Sequence, residues 1–77
     1  MKFSVIESVF KMDNGENRKL YGVCYNDGEI IRNFEALVDD SLKIEVLVRI
    51  LNAQNANLET ARQYVENLLY EAYCKYL

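Results

Sequence analysis

The chain has 77 residues, of which 51% are hydrophobic and 27% charged, and 12 acidic against 9 basic side chains give a net charge of −3. This balance is typical of a globular protein and excludes the composition of a disordered chain. Because the basic residues are scattered and no stretch approaches the roughly 20 apolar residues of a membrane span, we expect neither direct nucleic-acid binding nor a membrane segment.

The length predicts one small domain, residues 1–77. A domain of this size buries only about 60% of its unfolded surface, so we expect marginal stability as a monomer, which oligomerisation would raise. The two cysteines, Cys24 and Cys74, are expected to be reduced, because the first twelve residues mix charged with apolar side chains and do not resemble a secretory signal. We therefore expect a soluble, cytoplasmic protein.

Two turn signals divide the first half of the chain into three predicted β-strands. Residues 13–17 and residues 26–28 each contain an Asx-Gly pair, which readily adopts the positive φ angles of tight hairpin turns. The segments at 2–12, 18–25 and 29–38 are rich in β-branched and aromatic residues. The pattern predicts a three-stranded antiparallel meander.

A two-residue loop at Asp27-Gly28 would set the pairing of the second and third strands. The expected pairs are Tyr25 with Ile30, Val23 with Arg32 and Tyr21 with Phe34. These side chains share one face of the sheet, which is the expected core face.

The opposite face of the predicted sheet is also apolar. It would carry Leu20, Cys24 and Ile31. The length of the first loop leaves open whether Val5 and Val9 or Ile6 and Phe10 join them. Since a sheet with one solvated face alternates apolar with polar residues, a second apolar face indicates a second packing partner.

After residue 38 the sequence takes on helical features. Asp39, Asp40 and Ser41 offer capping oxygens to a short helix over residues 42–51. The apolar side chains of this helix surround most of its circumference, so we expect it to be buried on more than one side.

A polar connection over residues 52–57 leads to a second helix. Asn57 is the expected N-cap, and the helix is expected to run from 58 to 76 with one apolar stripe. Arg62 and Glu66 stand at i,i+4 spacing on its outer side. The predicted fold class is α+β, a three-stranded antiparallel β-meander followed by two α-helices (βββαα).

The chain lacks the residue patterns of catalytic, metal and cofactor sites. It has no histidine, which removes the usual general base and most transition-metal sites. Its three glycines match neither a phosphate-binding loop nor a dinucleotide fingerprint. We therefore expect no enzymatic activity, no metal and no cofactor.

The tyrosines of the second helix are the most suggestive group. Tyr64, Tyr70, Tyr73 and Tyr76 cannot all lie on the apolar stripe of the helix. Tyrosine is favoured at interfaces because it combines a large apolar area with a hydroxyl group. Two interpretations stay open: a partner surface, or a core rim whose hydroxyls reach water.

Three segments carry a resemblance to a known group of proteins: Tyr21-Gly22-Val23, residues 34–40 and residues 64–69. With its Tyr-Gly strand, apolar helix and final helix, the layout resembles small uncharacterised proteins of Clostridia-type Firmicutes over about two thirds of the chain. It departs from them at Leu58-Glu59-Thr60, where that group often has a proline. The resemblance implies a bacterial or phage origin and supplies no functional residues.

The first functional hypothesis is a non-enzymatic protein–protein interaction module that forms a homodimer or other homo-oligomer. Its candidate partner-binding residues are Leu20, Cys24, Ile31, Tyr64, Tyr70 and Tyr73. The alternative is an acidic inhibitor, encoded by a phage or mobile element, that binds the basic groove of a host nucleic-acid-processing (defence) protein. The alternative predicts carboxylates concentrated on one surface.

Overall fold

The computed structural model describes residues 2–74, except the side chains of Ala36, Tyr73 and Cys74. Strands β1 (Phe3–Lys11), β2 (Asn17–Asn26) and β3 (Ile31–Val38) precede helices α1 (Ser41–Ala53) and α2 (Leu58–Cys74). The strands form one antiparallel sheet in the order β1-β2-β3. The predicted meander followed by two helices is confirmed.

The first hairpin is regular along its whole length. Consecutive pairs run from Phe3–Tyr25 to Lys11–Asn17 without a bulge. This register places Ile6 and Phe10, and not Val5 and Val9, on the face that carries Leu20. The register thus decides between the two pairs of β1 residues that the sequence left open for this face.

The second hairpin differs from the predicted register by two residues. Tyr25 pairs with Arg32 and not with Ile30, and Val23 pairs with Phe34 and not with Arg32. The turn is longer than two residues because the Asp27 carboxylate accepts the backbone N–H groups of Glu29 and Ile30. The prediction that Ile30 belongs to the core face was therefore wrong, and its side chain is exposed.

A bulge shifts the pairing farther along the same hairpin. Tyr21 lies opposite Val38 and not opposite Phe34 as predicted, because β3 carries extra residues between the pairs of Tyr21 and Val23. Gly22 lies at this irregularity, where a Cβ atom would overlap the carbonyl oxygen of Phe34. Only glycine lets the two backbones approach so closely.

The helices cover one face of the sheet. Helix α1 packs on β1 and β2, and α2 packs on β3. The buried residues of this core are Phe3, Val23, Tyr25, Leu37, Val38, Ile44, Leu47, Val48, Leu51, Ala56, Ala61 and Val65. Predicted core residues Val23 and Tyr25 are among them, and Tyr21 and Phe34 are partly buried against them.

Helix α1 begins as predicted but is buried on fewer sides than expected. The Asp40 side chain caps it by accepting the Leu42 N–H at 3.0 Å. The expectation of burial on more than one side was wrong, since Leu42, Val46 and Ile50 are exposed. These residues repeat every four positions, so they form one stripe on the side of α1 that the sheet does not reach.

Helix α2 begins at the predicted cap. The Asn57 side chain accepts the Thr60 N–H at 2.8 Å, and Arg62 pairs with Glu66 at 3.4 Å. The predicted end of the helix at residue 76 lies outside the described residues.

Candidate interaction surfaces

The face of the sheet opposite the helices carries several apolar side chains among polar ones. We call it the open face and define it by Ile6, Phe10, Leu20, Cys24 and Ile31, which share this face through the register. Ile31 is 59% exposed and Phe10 44% exposed, while the other three are partly exposed. Within residues 2–74, neither helix packs on this side.

Charged groups border the open face. Arg18 lies on it opposite Phe10 and forms an ion pair with Asp39 at 3.3 Å. Glu35 of β3 is also exposed. An exposed ion pair contributes little stability. The pair of Arg18 and Asp39 therefore does not offset the cost of leaving the apolar side chains of this face in water. Apolar side chains with charged and polar neighbours are the usual composition of a protein interface.

The register brings three of the predicted site residues together. Leu20, Cys24 and Ile31 all belong to the open face, and Cys24 carries a free thiol. Sequence reasoning could not select Ile6 and Phe10, because that selection required the length of the first loop. The alternation of the strand identified them only as one of two possible pairs.

The two helix tyrosines whose side chains are described, Tyr64 and Tyr70, do not share one environment. Tyr64 is partly buried, and its hydroxyl bonds the Gln54 amide at 3.2–3.3 Å. Tyr70 is 71% exposed, and the side chain of Tyr73 lies outside the described residues. The two described side chains thus have different surroundings, and Tyr64 combines partial burial with a satisfied hydroxyl.

Tyr64 belongs to a second apolar surface, a groove between the two helices. We call it the helix groove. The apolar side chains that line it are Leu42, Val46, Leu47, Ile50, Tyr64 and Leu68. It lies on α1 and α2 and is therefore separate from the open face.

The two groups with perturbed pKa values secure a turn. Two backbone N–H groups, those of Ile30 at 2.8 Å and Glu29 at 2.9 Å, donate to Asp27 and lower the pKa of its carboxyl. Burial, and then the hydrogen bond that its hydroxyl donates to Asp27 at 3.0 Å, raise the pKa of Tyr25. The pair holds the β2–β3 turn against the core.

Neither described helix is both long and apolar enough to cross a membrane. The resemblance to small Firmicutes proteins stays a prediction. A scan against protein-family models and searches of curated proteins and of solved structures found no match to this chain.

Proposed function

We propose that this protein is a non-enzymatic protein–protein interaction module that associates with itself through the open face. The observation that carries the proposal is the set of exposed and partly exposed apolar side chains on that face, which no described element covers. Removing apolar surface from water yields about 25 cal/mol per Å². The free-energy gain from covering Ile6, Phe10, Leu20 and Ile31 is what favours association.

A second copy of this chain suits the open face because the face offers both parts of a self-complementary contact. A two-fold axis brings the same patch of each copy together. The apolar side chains of the two copies would then contact each other. Each copy also contributes one exposed basic group, Arg18, and one exposed acidic group, Glu35, to the contact. We place the module in the cytoplasm, where its cysteines would stay reduced.

The inhibitor hypothesis gains no support from the charge distribution. The described carboxylates lie on β1, on β3, in the connection between β3 and α1, on both helices and in both hairpin turns. A groove-binding inhibitor would concentrate them on one surface. That hypothesis remains a prediction from composition.

The test compares two lysine substitutions by light scattering across a dilution series. Ile31→Lys places a charge on the open face, and Leu42→Lys makes the same change at a residue that is 64% exposed on α1. Both side chains are exposed, so both variants should fold with the circular dichroism of the wild type. We expect the wild type to associate, Ile31→Lys to lower the average mass and Leu42→Lys to leave it unchanged.

Two results would contradict the proposal. One is a wild-type protein that stays at the protomer mass at every concentration. The other is a mass that Ile31→Lys lowers no more than Leu42→Lys does. In that case the effect of a charge would not depend on the open face, which would then not be the contact surface.

A further inference from the structure

The open face of one protomer is small for a stable interface. Three strands spaced about 4.8 Å apart, each with about eight residues at 3.3 Å, cover roughly 380 Å². Two stacked faces would then bury about 760 Å² in total, whereas stable interfaces exceed about 1,000 Å². A self-associating module needs additional contact area.

The outer edge of β1 offers that additional contact. The Lys2 carbonyl accepts the Asn26 N–H at 2.8 Å, and the Met12 N–H donates to Glu16 at 2.7 Å. Even-numbered residues of β1 therefore point their backbone groups toward β2, and odd-numbered residues point theirs outward. The outward residues are Phe3, Val5, Glu7, Val9 and Lys11.

One outward residue of β1 is already occupied. The Asn52 side chain of α1 accepts the Phe3 N–H and donates to the Phe3 carbonyl, both at 3.0 Å. It thus imitates a neighbouring strand at the first position of the edge. Within the described chain, the outward N–H and C=O groups of the next four residues have no such partner: Val5, Glu7, Val9 and Lys11.

The two edges of the sheet differ in how they are protected. β3 carries the bulge and has α2 packed against it. β1 has nine regular pairs, no proline and only two charged residues. Natural edge strands usually carry bulges, prolines or charges that prevent pairing with another chain. The β1 edge is the less protected of the two.

We propose that two copies of the chain join antiparallel at their β1 edges and form one six-stranded sheet, with the two-fold axis at Ser8. This inference rests on the proposed function, because it doubles the open face and raises the area buried between two stacked sheets to about 1,500 Å², within the usual range for stable interfaces. We infer a second copy as the partner because the unpaired N–H and C=O groups of one β1 edge can pair with the same groups of another β1 edge.

The position of the axis follows from the free backbone groups. With Ser8 opposite Ser8, residue 5 faces residue 11 and residue 7 faces residue 9, so all four free residues form hydrogen-bonded pairs. The same register places Ile6 opposite Phe10 on the open face, an aliphatic–aromatic pair that stabilises a sheet. An axis at Glu7 would oppose two carboxylates, and an axis at Val9 would leave Val5 unpaired.

A disulfide across the axis tests both the edge and the register. Ser8→Cys is made in a Cys24→Ala, Cys74→Ala background and oxidised in air with a copper–phenanthroline catalyst. At the axis the two Cα atoms would be about 4.5 Å apart, which a disulfide can bridge. The matched control is Val5→Cys, whose two copies would be about 20 Å apart in this register.

We expect Ser8→Cys to give a covalent dimer on a non-reducing gel and Val5→Cys to stay monomeric. No dimer from Ser8→Cys, or equal dimer from Val5→Cys, would overturn the inference. A dimer from Val9→Cys with none from Ser8→Cys would overturn the register, since it would move the axis to Val9.

Separating this inference from the proposed function requires the Ile31→Lys background, in which the open face is blocked. There we expect an edge-paired dimer, and adding Val9→Pro should halve its mass by removing an outward N–H. Proline is tolerated at edge positions whose N–H faces solvent, and Asn33→Pro on the β3 edge is the control. A monomeric Ile31→Lys protein would overturn the edge inference while leaving the open face in place.

The opposite failure is also recognisable. If Ser8→Cys forms the covalent dimer but Ile31→Lys does not lower the wild-type mass, the edge pairing stands and the open-face proposal falls. The crosslink also keeps the inference testable if Val9→Pro fails to fold, because it leaves every backbone N–H of β1 in place.

Discussion

Replacing Asn52 with alanine should destabilise the fold by more than a typical surface substitution. Asn52 lies in α1, and its amide makes two 3.0 Å hydrogen bonds to the backbone of Phe3. Asn52→Ala leaves one N–H and one C=O without a protein partner beside a ring that is only 2% exposed. Because Asn52 itself is partly exposed, water can replace some of this bonding, so we expect a loss of about 1–3 kcal/mol.

Thermal unfolding followed by circular dichroism at one fixed protein concentration measures this loss. For a domain of this size the expected drop in Tm is on the order of 10 °C. Asn33→Ala is the control, because Asn33 is an exposed asparagine of β3 with no side-chain hydrogen bond in the structure. An Asn52→Ala protein as stable as the Asn33→Ala protein would refute the reasoning that this amide holds β1 to α1.

Three further perturbations have expected outcomes of different kinds. Gly22→Ala should cost about 1–3 kcal/mol in urea unfolding, because its methyl group meets the rigid backbone of Phe34; an unchanged midpoint would contradict the close approach. Asp40→Ala should cost about 1 kcal/mol by removing the cap of α1, whereas Asp40→Asn should keep most of it. The lowered pKa of Asp27 predicts a contribution to stability that is present above its ordinary value of 3.8 and lost as the pH falls through the folded value. The raised pKa of Tyr25 predicts one that is present below its ordinary value of 10.0 and lost as the pH rises through the folded value. Stability curves of Asp27→Asn and Tyr25→Phe should be flatter at the acid and alkaline ends respectively, and curves identical to that of the wild type would contradict both assignments.

The candidate surface was partly predictable because alternation along a strand assigns residues to faces. The predicted register of the second hairpin was wrong by two residues at Tyr25 and Val23, but an even shift leaves Leu20, Cys24 and Ile31 on the same face. The choice between Ile6 with Phe10 and Val5 with Val9 depended on one loop length, for which the sequence offers only a turn signal. The structure supplied that length.

Asn52 shows what sequence patterns miss. The sequence pattern predicts that it belongs to a polar connection, yet α1 extends to Ala53 and the Asn52 amide reaches Phe3, 49 positions away in the chain. No local propensity encodes such a contact. Because the Asn52 amide occupies the outward backbone groups of Phe3, this contact determines how many residues of the β1 edge keep unpaired backbone groups.

The sequence by itself determined the order of the elements, their caps and which residues within one strand share a face. These properties depend on neighbours a few positions apart, through backbone sterics, capping oxygens and hydrophobic periodicity. The tertiary structure decided which sheet face the helices cover, where β3 bulges against Gly22 and why the stripe at Leu42, Val46 and Ile50 stays exposed. Those outcomes depend on contacts between distant segments, and periodicity specifies the direction of a side chain but not what lies opposite it.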